Sequence, residues 1–122
     1  MLEKNIESDL KKSVEKLDGA LCLKFTCPSF TGVPDRIILL PGGNVVFAEL
    51  KAPGKKERPR QRVVQQMLRK LGFIVFSAVD SPAKISEVVD CCSRIITQER
   101  DRQNFIRQAA AEYIAEHGGK RP

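Results

Sequence analysis

Apolar positions along this 122-residue chain recur with two periods, and the switches between them mark out the elements. Leu2, Ile6, Leu10, Val14 and Leu17 fall three or four residues apart and predict a first helix ending near Asp18-Gly19. Ala20 to Thr26 alternates as a strand. Cys27 to Pro34 then carries Pro28, Gly32 and Pro34 and must be a loop. Residues 36–40 and 45–50 read as strands joined around Pro41-Gly42-Gly43-Asn44, a strong hairpin signal.

Ala52 to Arg58 is a basic loop, and Pro59 suits the first turn of a second helix. Val63, Val64, Met67, Leu68 and Leu71 form the apolar stripe of that helix. Phe73 to Val79 is strand-sized. Ser81-Pro82 opens a third helix with Ile85, Val88, Val89, Cys92, Ile95 and Ile96 on one face. A further amphipathic helix, from about Thr97 to Gly118, carries Phe105, Ile106, Ala109, Ala110, Tyr113 and Ile114. Gly118 to Pro122 is expected to fray. The order is α-β-β-β-α-β-α with an extra C-terminal helix: an α/β domain over residues 1–96, then a helical extension and tail over residues 97–122.

The length suits one domain with one core. Hydrophobic residues make up 42% and charged residues 30%, a globular balance rather than that of a disordered tail. No apolar run approaches a membrane span, and the opening Met1-Leu2-Glu3-Lys4-Asn5 lacks the apolar core of a signal peptide. A cytoplasmic location is therefore expected. The net charge of +6 favours a polyanionic partner, most commonly nucleic acid, over the plainer reading of an indifferent basic surface. Cys22, Cys27, Cys91 and Cys92 show no CxxC spacing, and the single histidine, His117, is distant. Buried thiols in a reducing compartment fit them better than a metal–thiolate site.

The hairpin concentrates the candidate chemistry. Asp35 lies at the mouth of its first strand. Glu49 and Lys51 lie two apart on its second and project from one face, while Leu50 turns into the opposite, buried layer. Phosphodiester hydrolysis needs such a set: carboxylate oxygens for a hard divalent ion such as magnesium, with a cation beside them. The lysine can orient or deprotonate the attacking water, or stabilise the pentavalent phosphate, and sequence does not choose among these roles. The plainer alternative is a turn aspartate after proline and an exposed strand face.

Register attaches a condition. With a two-residue turn at Gly42-Gly43, Arg36 would oppose Glu49 and Asp35 would face away. Asp35 joins Glu49 and Lys51 if the connection gains a residue, for instance as a three-residue loop opposing Asp35 to Lys51. A bulge, or irregular backbone after Pro34, would serve equally.

Lys55, Lys56, Arg58, Arg60 and Arg62 follow directly, and Lys24 and Arg36 lie near the same strand ends. Phosphate contacts supply most non-specific affinity, so all seven are candidate DNA contacts. There is no Trp, and the single tyrosine, Tyr113, is far away. Recognition by shape and backbone is therefore expected over base readout.

Gly32-Val33-Pro34-Asp35-Arg36, then Pro41-Gly42-Gly43, then Glu49-Leu50-Lys51-Ala52-Pro53-Gly54-Lys55, then Gln61 closely resembles the virus-type replication-repair nuclease domain, VRR-Nuc. That family is a branch of the PD-(D/E)xK, or restriction-endonuclease-like, superfamily, and the resemblance runs from about Ile6 to Val89. It implies a restriction-endonuclease-like fold, a mixed sheet flanked by helices, and hydrolysis of DNA dependent on Mg2+ or Mn2+. It makes Asp35 and Glu49 the metal-binding carboxylates, Lys51 the catalytic lysine and the Leu50 carbonyl a further metal ligand. Gln61 matches the family's glutamine on the helix after the lysine, with Gln65 a second candidate one turn on.

The family also uses a glutamate on its first helix. Glu7 fits best, Glu3 lies on nearly the same face, and an ordinary i,i+4 pair between Glu7 and Lys11 is the structural alternative. Stand-alone members look like homodimeric, structure-selective endonucleases of viral or bacterial origin. The resemblance thus implies a homodimer acting on branched DNA such as four-way (Holliday) junctions, as in DNA repair, within a bacterial cell or a virus-infected host cell. The competing class is a non-catalytic DNA-binding or assembly protein on the same fold.

Overall fold

The computed structural model describes residues 3–118. Leu2, expected in the first helix, and residues 119–122 of the expected tail lie outside them. The described chain runs α1 (Glu3–Glu15), β1 (Leu21–Lys24), β2 (Arg36–Leu40), a 3-10 turn (Pro41–Gly43), β3 (Asn44–Leu50), α2 (Pro59–Lys70), β4 (Ile74–Val79) and α3 (Pro82–His117). This is the expected order.

The sheet has the order β1-β2-β3-β4, antiparallel across the first two pairings and parallel between β3 and β4. A parallel pair needs a crossover, and α2 supplies it. Helices flank the sheet as the restriction-endonuclease-like reading requires.

One sheet face builds the core. Ile38 and Leu40 of β2, Val46, Ala48 and Leu50 of β3 and Cys22 of β1 meet Ile6, Leu10 and Val14 of α1 and Ile85, Val88, Cys92 and Ile96 of α3. Ile6, Leu10 and Val14 have no exposed surface, and full burial of one such side chain stabilises by about 1.5–3 kcal/mol. Burial pushes the Cys92 thiol up to about 12 and the Cys22 thiol in the same direction, which keeps both in the unreactive protonated form.

The other face differs from its sequence pattern. Of the stripe expected on α2, Val64 is buried and Leu68 half-buried, but Val63, Met67 and Leu71 are exposed. Polar anchors turn the helix. Gln65 is buried against β4, and Arg69 Nη2 donates to the Val75 carbonyl and Ser77 Oγ at 2.9 and 2.8 Å.

The third and C-terminal helices form one continuous helix, because neither proline nor glycine interrupts residues 83–117. Ser81 Oγ caps its start by accepting the Lys84 N–H, and Gly118 closes it in a left-handed conformation. Its distal part leaves Phe105, Ile106 and Ile114 exposed. Among the described residues no helix is long and apolar enough to cross a membrane.

Candidate active site

Two irregularities of the sheet set the carboxylates. Leu40 pairs with Asn44 and Arg36 with Ala48, so three residues make the hairpin turn. Gly42 and Gly43 both take positive φ there, a conformation other residues adopt at a cost. One step further, the register opposes Asp35 to Glu49, on the face that also carries Phe47. The extra residue expected in the turn is present, but it sets Asp35 across from Glu49 rather than Lys51.

The second irregularity lies on the other side of β3. Ala48 pairs with Phe76 and Leu50 with Val79, which leaves an extra residue in β4. Ala78 takes up the difference at φ 49, a left-handed conformation costing on the order of 1–2 kcal/mol for a residue with a Cβ. The Glu57 carboxylate accepts the displaced Ala78 N–H at 2.8 Å. A bulge beside Glu49 re-aims the strand where the side chains must converge.

Asp35 is held on every side. Its Oδ2 accepts the Leu50 N–H at 2.9 Å, and its carbonyl accepts the Phe25 N–H at 2.7 Å and Arg36 Nη1 at 2.9 Å. Glu49 beside it is only 1% exposed. Its Oε1 accepts Gln61 Nε2 at 3.1 Å and lies 3.8 Å from Lys51 Nζ. Its Oε2 is buried with no partner among the described residues. Burial, and then the adjoining Asp35 carboxyl, push Glu49 up to about 8, against the pull of Lys51.

Such a pair suits a hard divalent cation: two adjacent carboxylates, one with a free buried oxygen, in a site where negative charge is disfavoured. Among the described residues no three His, Cys, Asp or Glu side chains are grouped to hold a metal by themselves. Two carboxylates leave the remaining positions to water and backbone oxygens, which magnesium accepts readily. Leu50 lines the same cleft as Asp35 while its side chain lies in the core, so what it offers the cleft is backbone.

Gln61 reaches the site from the first turn of α2. Its Oε1 accepts the Arg58 N–H at 2.9 Å, which caps the helix and aims Nε2 at Glu49. Gln65, the second candidate, turns away: its Oε1 accepts Ser77 Oγ at 2.5 Å, and its Nε2 is buried without a partner among the described residues.

Glu7 does not pair with Lys11, which instead bonds Glu15 at 2.8 Å. It forms an ion pair with Arg36 and lies 3.7 Å from Lys24 Nζ. Glu7 and Glu3 both line the cleft of about 240 Å³ that holds Asp35. Arg36 is the correction among the expected DNA contacts. It is buried and committed to Glu7 and the Asp35 carbonyl, because the Glu7 carboxylate reaches it from α1. Lys24, Lys55, Lys56, Arg58, Arg60 and Arg62 are exposed.

Glu57 was not legible in the sequence. It sits in a run of basic residues, and only the bulge gives it a partner. Phe25 and Phe30 carry no signal in the sequence either, because the loop between β1 and β2 separates them and hides that they face one cavity with Gln61.

No family model matches the chain. A curated relative named "Putative nuclease p44", from Acyrthosiphon pisum secondary endosymbiont phage 1, is 43% identical over 73 residues, which are 60% of this chain and 77% of the relative. A solved structure described as a VRR_NUC domain superposes with a TM-score of 0.65 at 27% identity, covering 72% of this chain and 94% of that one.

Proposed function

The chain belongs to the VRR-Nuc family, and on that premise we propose that this nuclease is a divalent-metal-dependent DNA endonuclease centred on Asp35, Glu49 and Lys51. The observation that carries the reading is Glu49: a buried carboxylate with one unpartnered oxygen, flanked by Asp35, Lys51 and Gln61.

Asp35 and Glu49 would hold Mg2+ or Mn2+, with the Leu50 carbonyl as a further ligand. When bound, the ion supplies Lewis acidity to the phosphate and acidifies a water. Asp35 is fixed for this by the Leu50 N–H, and Gln61 fixes the Glu49 carboxylate through Oε1. Lys51, 15% exposed, stands where a cation can orient the attacking water or stabilise charge on the phosphate. Glu7, held by Arg36, is the first-helix glutamate of the site, with Glu3 the alternative on the same cleft. Lys24, Lys55, Lys56, Arg58, Arg60 and Arg62 contact phosphates on either side of the cut.

The DNA is branched, with four-way junctions the foremost substrate. Two active sites related by two-fold symmetry suit a junction. The exposed Phe105, Ile106 and Ile114 of α3 support a homodimer built on that extension. The setting is the cytoplasm of a bacterial or virus-infected cell.

A cleavage assay on a four-way junction, with and without Mg2+, tests the reading. Wild type should cut only with the ion, and Lys51→Ala should lower the rate by about 10²–10³-fold with little loss of binding. Binding without metal-dependent cutting, unchanged in Lys51→Ala, would instead make the chain a DNA-binding module.

A further inference from the structure

The loop between β1 and β2 and the start of α2 enclose a cavity of about 450 Å³ beside the carboxylates. That volume falls within the ~300–1,000 Å³ typical of small-ligand sites. Phe25 forms one wall, and its ring packs on Phe47 at a centroid distance of 5.6 Å. Phe47 in turn meets the edge of Phe73 at 5.4 Å, so the Phe25 ring is part of a fixed aromatic stack. Phe30, 38% exposed, forms another wall with the Arg60 guanidinium 4.8 Å from its centroid. Val33, Arg58 and Gln61 also line the space.

The shape is set by packing. Arg60 Nε donates to the Thr31 carbonyl at 3.1 Å. At Gly32 a Cβ would come within 2.8 Å of Arg60 Cγ and 3.1 Å of Val64, so the loop sits directly on α2.

Two connections tie this cavity to the carboxylates. Gln61, on its lining, donates to Glu49. Phe25 and Thr26 line both this cavity and the cleft that holds Asp35. A phosphate at the carboxylates therefore places a neighbouring nucleotide within reach. The exposed Arg58 and Arg60 supply positive charge for its backbone. A base in duplex DNA is stacked between its neighbours, whereas an unpaired one leaves the stack easily. Aromatic and guanidinium faces then accept it whatever its identity.

We propose that the cavity between Phe25 and Phe30 binds the base of one unpaired nucleotide next to the phosphate that a divalent ion at Asp35 and Glu49 would hold. The position of that phosphate rests on the nuclease reading above. Stacking needs no match of donors and acceptors, so selection follows the structure of the DNA and not its sequence. Loosely paired nucleotides at a branch point meet this requirement, and an uninterrupted duplex does not.

The test is binding, measured by fluorescence anisotropy with the full chain, Ca2+ replacing Mg2+ so that a cation can link the phosphate to the carboxylates. Two labelled duplexes are compared, one with a single unpaired nucleotide and one with an abasic residue at that position. Wild type should bind the first roughly tenfold more tightly. Phe30→Ala should erase the difference, and Phe30→Trp should restore it. Equal affinity of wild type for both duplexes, or full discrimination by Phe30→Ala, overturns the proposal. Exchanging Ca2+ for Mg2+ in the same mixtures reads cleavage separately. Discrimination without cutting would remove the nuclease reading alone, and cutting with equal affinities would remove the base site alone.

Discussion

The two faces of the sheet obey opposite rules. Toward α1 and α3, apolar side chains interlock with almost nothing left to solvent. Toward α2, the buried residues include Glu49 and Gln65, each with an unpartnered polar atom among the described residues. On that side Ala78 is strained, and α2 keeps Val63, Met67 and Leu71 in solvent. A buried polar group without a partner costs roughly 1–3 kcal/mol. The first face carries the stability, and the second spends some of it to hold a carboxylate in a dry place.

The largest effect that sharpens this contrast belongs to the polar face. Glu49→Gln keeps the shape and the Gln61 contact but removes the charge. Junction cleavage should fall by about 10³-fold or more, measured at saturating Mg2+. Without metal the same variant should be at least as stable as wild type, a combination that no substitution on the apolar face can give. There, Leu10→Ala should lose about 2–5 kcal/mol in urea unfolding. Cleavage per folded molecule should stay near the wild-type rate.

A smaller effect comes from pH. Glu49 titrates near 4.5 when exposed and near 8 in the folded, metal-free protein. The folded state therefore holds a proton that the unfolded state releases. The stability this contributes is complete below about pH 4.5 and is lost as pH rises through about 8. Thermal melts of metal-free wild type should fall relative to Glu49→Gln across that window, by a few kcal/mol at most. A constant difference between the two proteins would remove the charge argument. Smallest of all, Met67→Gln, on the exposed side of α2, should change unfolding free energy by no more than about 0.5 kcal/mol.

The same contrast explains what could be read from the chain. The apolar face is periodic, so Ile6, Leu10 and Val14 and the α3 positions from Ile85 to Ile96 announce their burial in sequence. Their packing requires little beyond that. Asp35, Glu49 and Lys51 were legible as chemistry on a hairpin, and alternation required an extra residue in the turn, a bulge or irregular backbone after Pro34 to bring them to one face. The site's finer geometry was not legible, because it depends on side chains that meet across the fold. Arg36 looked like a surface cation because its partner, Glu7, lies 29 positions earlier on another element. The α2 stripe looked buried because hydropathy does not record that Gln61 and Arg69 anchor the helix from its polar side.

Whether Asp35 and Glu49 form a metal site is tested most directly by a crystal structure with Mn2+, through the ion's anomalous signal. An ion about 2.0–2.2 Å from oxygens of both carboxylates is the expected result. The Leu50 carbonyl should be a ligand, and Glu49 Oε2 should no longer be unpartnered. Manganese bound elsewhere, with the Asp35–Glu49 pair still metal-free at saturating ion, would contradict it.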